Sequence, residues 1–522
     1  MHFAQFMTDF SADKDPEIFL AAALVSHATG TGDICLNLET IAGHSLTLTG
    51  TKEFNTPIVC PDLDVWLEKL AASPAVGRPS EICPLILDDK NRLYLYRYWD
   101  YENSLSKSIK KRLHNPVEGL DFKQLKHTLD RLFSGSNSQE INWQKVAAAI
   151  ACLKHFSVIT GGPGTGKTFT VTKVLAMLLE QTSGQSLQIY LAAPTGKAAA
   201  RLKETVEQAK RQMNCDDSIK GAIPSEAFTI HRMLKPMAGS PYFRHNRENL
   251  LMADVVVVDE ASMVDLALMA KLFEAVPENK RLILIGDKDQ LASVEAGSVL
   301  GDICDRNVIH AFSAPFKHRI KELTGEDLEH RVQPTDTQSG LQDAIVVLQK
   351  SYRFAAGSGI GDLSRAVNRA DTEAAFQLLA DKNDKSITWQ TLKANEDLFD
   401  NLSRQIVSGY QSYLNAGEPA AALQRLQRFK ILCALNIGPL GVQAINKLAE
   451  QILRQQNLIR PDPMKENPWY AGRPVLITRN HYPLGLFNGD IGVTLPDADA
   501  ADDRLAVFFT GDSGEIRRFH PY

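Results

Sequence analysis

The segment GGPGTGKT at 161–168 constrains this chain more than any other eight residues in it. It fits G-x-x-x-x-G-K-T. It follows the apolar, strand-like HFSVIT and opens a helix-period segment whose Val171, Val174, Leu175, Leu178 and Leu179 fall on one face. A strand that turns through glycines into a helix curls backbone N–H groups around an anion, and the helix N-terminus adds its positive end. A Gly-rich loop before a helix can be turn chemistry alone. With Lys and Thr both in register, the loop is instead expected to bind ATP and Mg²⁺ through Gly161, Gly162, Pro163, Gly164, Thr165, Gly166, Lys167 and Thr168. Lys167 would reach the β/γ-phosphates and the Thr168 hydroxyl the metal.

Three further apolar runs, LQIYLAA, VVVVD and RLILIGD, alternate with helical patterns, as buried parallel strands do. The fold class expected is α/β, a P-loop NTPase with a parallel sheet. VVVVDEAS at 255–262 places Asp259 at a strand's C-terminal end, where such sheets bind ligands. Asp259 would hold Mg²⁺, directly or through water, and Glu260 would polarise the attacking water. A lone acidic pair there could be a helix N-cap; behind a phosphate loop it points to hydrolysis. In LILIGDKDQL at 282–291, Gln290 is a neutral amide able to sense a γ-phosphate, with Asp287 on the metal side. In APTGKAAARL at 193–202, Thr195 and backbone N–H groups open a helix, and Lys197 and Arg201 lie one turn apart, an arrangement suited to the phosphates of a bound strand. By itself that segment reads equally as a structural Gly turn.

The 522 residues are too many for one core, and about three domains are expected. Residues 1–130 are read as a mainly helical docking or accessory domain, 131–335 as the ATP-binding α/β domain, and 341–522 as a second α/β region, β-rich from about 472. HRVQPTDTQSG at 330–340 reads as the linker, RLYLYRYWDYE as a strand, and KSIKKRLH at 107–114 as a solvated helix face. The seven cysteines form no CxxC pair, which disfavours a metal cluster or disulfide framework. No secretory signal or membrane-length apolar run occurs, so a cytoplasmic location is expected. A net charge of −5 argues weakly against a DNA-coating protein, which is usually basic; any nucleic-acid contact is expected in a local groove lined by a few Lys and Arg.

The ordered set INWQKVAAAI, GGPGTGKT, LAAPTGKAAARL, FTIHRML, VVVDEASM, LIGDKDQLASVEAGSVLGDIC, LQKSYRF and GLFNGDIGV resembles superfamily-one helicases of the 5′→3′ branch. More narrowly, it resembles the RecD family, the alpha subunits of RecBCD-type enzymes (exodeoxyribonuclease V), over essentially the whole chain. The resemblance implies an ATP-dependent 5′→3′ DNA helicase acting in double-strand-break repair, with RecB-like and RecC-like partners in a heterotrimer and single-stranded DNA at a duplex end as substrate. It implies two RecA-like parallel-sheet motor domains, 131–335 and an incomplete 341–522, behind a subunit-docking domain over 1–130, with Gln144 reading the adenine edge and Gln290 coupling the γ-phosphate to DNA. It also implies that Arg353 reaches the phosphates from the second motor domain, and that Pro194, Thr195, Lys197 and His231 lie along the strand. The nuclease of such complexes belongs to another subunit.

Other readings are a stand-alone helicase of the same branch, an ATP-binding scaffold, or a P-loop kinase or switch; no NKxD element supports the last. The family's T-x-H-K-x-Q-G-like and Y-T-A-x-T-R-A-like segments are not found before the chain ends at Tyr522. The expectation is a C-terminally truncated product that binds ATP but hydrolyses it and unwinds DNA poorly.

Overall fold

The computed structural model describes all residues except 12–14, 47–57, 135–139, 183–185, 238, 292, 294, 305–308, 329–339, 354–357, 382, 392–395, 461–468, 480, 482–483, 487–488, 499, 501–503, 512–513 and 522. The linker expected at 330–340 therefore lies outside the described residues, save Gly340. The chain divides into two compact units, Met1–Pro194 with Arg201–Ala355, and Thr195–Ala200 with Ala356–Tyr522.

The first unit begins with helices His2–Ser11, Pro16–Gly30 and Leu63–Ala72. They pack on a small sheet in which β1 (Cys35–Asn37), β6 (Arg92–Leu95), β5 (Leu85–Leu87) and β4 (Val76–Gly77) lie side by side. A two-stranded ribbon, β2 (Ser45–Leu46) with β3 (Ile58–Val59), flanks it. Asp15 caps the second helix by accepting from the Glu17 N–H at 3.0 Å. This domain has its own core, built on Ile18, Trp66, Leu70, Leu85 and Leu93, and that core ends at Leu95.

Beyond Leu95 the chain joins the motor core. The strand expected over RLYLYRYWDYE stops after four residues, and a helix runs over Tyr96–His114. Its Leu105 and Ile109 share a core with Val256, Val258 and Leu284, while Leu125 and Leu129 of helix Phe122–Leu132 join the core on the sheet's other side. The boundary expected near 130 thus falls near 95, because both helices bury their apolar faces against the motor. KSIKKRLH turns Lys107, Lys110, Lys111 and His114 to solvent, as expected, but its Ile109 and Arg112 are buried.

The motor sheet is parallel throughout, in the order β12 (Ile345–Leu348), β7 (Phe156–Gly161), β11 (Arg281–Gly286), β10 (Val255–Val258), β8 (Ile189–Ala193) and β9 (Ala227–Thr229). β7 and β10 are buried along their whole length, as continuous apolar strands covered on both faces must be. β12 was expected in the second domain. It pairs instead with β7, Ile345 opposite Val158, which puts it at the edge of the first sheet. Two side chains tie the chain near 310 to this strand: His310 Nε2 accepts from the Val347 N–H at 3.0 Å, and Asp343 accepts from the Ser313 N–H at 2.8 Å and hydroxyl at 2.7 Å.

In the second unit, helix Glu396–Leu414 packs on Pro419–Leu426 and Val442–Gln455. β13 (Pro474–Leu476), β14 (Ile491–Pro496), β15 (Leu505–Thr510) and β16 (Ile516–Phe519) form an antiparallel meander, as their turn-separated sequence segments suggest. Helix Pro419–Leu426 covers one face, Leu423 and Leu426 against Val493 and Phe508. Among the described residues this unit has no parallel ladder, so the second parallel sheet expected over 341–522 is not assembled there.

Candidate ATP site

The carboxyl ends of β7, β10 and β11 converge on the phosphate loop. Gly166 takes φ +79° and caps helix Lys167–Gln181 with no side-chain hydrogen bond, so the first-turn amides of that helix stay open for an anion. Gly164, at φ +76°, needs glycine twice over, since a Cβ there would collide with Arg353 Cβ as well as strain the backbone. Inside the loop, Thr165 donates to Gly162 O at 2.9 Å, and Lys167 Nζ donates to Gly161 O at 2.5 Å and Gly162 O at 3.1 Å. Burial holds the Lys167 ammonium below its ordinary pKa, while Asp287, Asp259 and Glu260 pull the other way.

Thr168 Oγ1 donates to Asp259 Oδ2 at 3.1 Å, which joins the two ends of the expected site. Burial raises the Asp259 carboxyl above the usual range, against the Glu260 N–H, Thr168, Lys167 and Arg201. Glu260 is raised by burial and then by Asp259. Its backbone sits at φ +52°, a left-handed conformation that costs a non-glycine residue of order 1 kcal/mol or more and recurs at functional sites. Its own N–H donates to Asp259 Oδ1 at 2.9 Å, which fixes the turn.

Beyond β11, buried Asp287 organises a tight turn. Its carboxylate accepts from the Asp289 N–H at 3.2 Å and from Gln290 Nε2 at 3.3 Å, and Thr160 of β7 accepts from the Lys288 N–H at 3.0 Å. Asp287 is thus the residue that holds Gln290. Gln144 is also within reach, but its Nε2 donates to Thr165 O at 2.9 Å, so its amide braces the loop. Arg353 follows β12 in the same unit instead of crossing from another. Its neighbours brace the loop too, Tyr352 N–H to Gly164 O at 2.8 Å and Ser351 Oγ to Pro163 O at 3.0 Å. Sequence reasoning missed Ser351 and Tyr352, although KSYRF singled out their neighbourhood. It also missed Arg201, which was read as a strand contact and whose charge acts on Asp259 and Glu260.

The strand-contact residues are less gathered. Thr195 accepts from the Ala198 N–H at 3.2 Å as the cap of its helix, Pro194 is half-buried and Lys197 is exposed. His231 is exposed in helix Ile230–Leu234, edge-on to Phe243 with centroids 5.6 Å apart.

The donor set fits a small hard cation with phosphates. One hydroxyl and one carboxylate converge beside a Lys and open amides, the arrangement Mg²⁺ accepts while keeping waters and substrate oxygens. Among the described residues no cluster of three or more His, Cys, Asp or Glu suggests another metal centre, and no helix is long and apolar enough to cross a membrane.

Residues 144–296 match the family model described as an AAA domain, and 1–94 the one described as the RecBCD enzyme subunit RecD, N-terminal domain. The RecBCD enzyme subunit RecD of Mycolicibacterium smegmatis is 35% identical over 531 residues, which cover 100% of this chain and 84% of that protein. That of Haemophilus influenzae is 33% identical over 94% of this chain and 80% of its own length. An ATP-dependent RecD2 DNA helicase from Deinococcus radiodurans is 30% identical over 69% of this chain and 38% of its own. With full-chain similarity at that level and a phosphate loop and acidic pair assembled on one parallel sheet, this chain belongs to the RecD family and is a RecBCD-type helicase subunit.

Proposed function

We propose that this chain binds ATP with Mg²⁺ at the carboxyl edge of the motor sheet and uses hydrolysis to move 5′→3′ along single-stranded DNA. It would do so as the alpha subunit of a cytoplasmic heterotrimer with RecB-like and RecC-like partners, acting at duplex ends in break repair. The observation that carries the ATPase reading is the 3.1 Å contact between Thr168 and Asp259, which unites phosphate loop and acidic pair.

The open amides of the loop and of the Lys167 helix receive the phosphates, and Lys167 exchanges its two carbonyl acceptors for the β/γ-oxygens. Thr168 and Asp259 would hold Mg²⁺, which would supply charge neutralisation at the phosphates. Glu260, whose carboxyl pKa burial and then Asp259 raise above the ordinary value, takes a proton from the attacking water in its ionised form. Gln290, held by Asp287, orients the γ-phosphate side, and Arg353 adds positive charge from beside Gly164. Pro194, Thr195, Lys197 and His231 contact the DNA strand, chiefly through phosphate, so binding falls with salt and is indifferent to sequence.

The test is steady-state ATPase turnover with and without single-stranded DNA, on the chain alone and with its partner subunits. Stimulation by DNA is expected. Turnover that ignores DNA under both conditions would refute a motor and favour an ATP-locked scaffold. Unwinding of substrates with only 3′ tails would refute the polarity.

A further inference from the structure

The turn of Asp259 and Glu260 leads through Ala261–Met263 into helix Leu266–Ala275, and residues 276–280 return the chain to β11, whose far end carries Asp287 and Gln290. One connector therefore runs from the strand end that holds the catalytic carboxylate to the start of β11, the strand that carries the amide beyond its other end. It is gripped at both ends by the N-terminal part of the chain.

At its C-terminal end sits Arg112, 0% exposed, on helix Tyr96–His114. Nη1 donates to Pro277 O at 2.9 Å and Lys280 O at 3.1 Å; Nη2 donates to Val276 O at 2.5 Å and Phe273 O at 3.4 Å. All four acceptors are main-chain carbonyls of the helix end and the return loop, the groups a helix C-terminus leaves unsatisfied. Burying a guanidinium this way is costly, and desolvation lowers its pKa to about 10. Only a planar fork of donors can hold four carbonyls in one geometry.

At the N-terminal end the Gly297 N–H, seven residues past Gln290, donates to Gly32 O at 3.1 Å, and the Leu266 N–H donates to Ala296 O at 3.3 Å. Gly297 has φ +102°, and a Cβ there would stand 2.7 Å from Leu266 Cβ and 3.0 Å from Ile34 Cγ2. The N-terminal domain, the segment after Gln290 and the first residue of the connector helix thus meet at one point. Between the two grips, Leu105 and Ile109 pack in one core with Leu272, Val256 and Leu284.

We propose that Arg112 and the Gly32–Ile34 contact are positioning residues for ATP hydrolysis: they clamp helix Leu266–Ala275 and so fix Glu260 and Gln290 relative to the phosphate loop. This rests on the ATPase reading above. The phosphate loop is braced separately, by Gln144, Ser351 and Tyr352, so the clamp acts on the chemical step and leaves nucleotide binding alone.

The experiment measures DNA-stimulated ATPase of the full chain, resolved into kcat and the KM for ATP, for Arg112→Met, Arg112→Lys and Ile34→Ala. Thermal melts confirm which variants fold, and Lys167→Ala is the control. Arg112→Met is expected to lower kcat about tenfold, as a displacement of a fraction of an ångström at a catalytic group does, with KM within about twofold. Arg112→Lys, keeping one cationic donor head, is expected to recover part of the loss, and Ile34→Ala to lower kcat about two- to threefold. A folded Arg112→Met with unchanged kcat overturns the proposal, and so does a loss appearing in KM alone. If Arg112→Met does not fold, Ile34→Ala decides by the same two criteria. Turnover retained by Lys167→Ala would instead sink the ATPase reading itself.

Discussion

The run VVVV at 255–258 and the run ILCAL at 431–435 are both short, continuous and apolar, yet they end in different states. The first is a central strand, buried along its length between β8 and β11. The second forms no ladder among the described residues, and its Leu432 and Leu435 are exposed. An apolar run becomes a strand only where neighbours on both sides accept its N–H and C=O groups and layers cover both its faces. The central run also has a polar end, and that end is where Asp259 and Glu260 meet the phosphate loop.

That contrast can be broken from its chemical side first. Lys167→Ala is expected to lower ATP hydrolysis by about three orders of magnitude or more while the melting temperature stays close to that of the parent chain, because Lys167 bonds only to loop carbonyls. Paired turnover and melting measurements check this; appreciable residual turnover would detach the loop from function. Glu260→Gln is expected to slow the chemical step about 10²–10⁴-fold while nucleotide still binds, since the Thr168–Asp259 contact survives. Loss of nucleotide affinity in a direct binding titration would mean that Glu260 serves binding instead.

The structural side is tested by a matched pair. Val257→Asp places an unpaired carboxylate at a fully buried position, and several kcal/mol of stability should be lost. Leu432→Asp, at 92% exposure, should stay within about 0.5 kcal/mol. Urea denaturation measures both, and similar losses at the two sites would erase the distinction drawn above.

The smallest effect concerns pH. Burial raises the carboxyls of Asp259 and Glu260, so the folded chain holds their protons more tightly than the unfolded chain does. Their contribution to stability is present in full below the ordinary carboxyl range, and it is lost as the pH rises through the raised values. Asp259→Asn removes that loss. The nucleotide-free variant should melt above the parent chain near pH 7, with the difference fading toward about pH 4. His310 runs the other way: burial lowers it from 6.5 to about 4, so its neutral tie to Val347 contributes fully above about 6.5 and is lost as the pH falls through about 4. Melting curves across that range, with and without Asp259→Asn, separate the two groups. An Asp259→Asn gain that grew on acidification would reverse the sign argued here.

Local pattern made much of this molecule legible. The strand–glycine–helix order at 156–168, the continuous apolar runs with polar ends, and the turn-spaced strands near the C-terminus each follow from a short period or a few fixed offsets. Those rules also located Lys167, Thr168, Asp259, Glu260 and Gln290, which the fold brings to one edge or one turn of the motor sheet. What the tertiary structure alone decided is how distant segments share backbone groups. Arg112 finds its carbonyl acceptors more than 160 positions away, and β12 joins a strand nearly 190 positions before it. Gln144, expected to read an adenine edge, bonds to the phosphate loop, and Arg112 is buried within a basic run whose Lys107, Lys110 and Lys111 stay exposed. A hydrogen-bond partner at that separation leaves no periodicity in the chain, because it is selected by which carbonyls the packed core leaves unsatisfied.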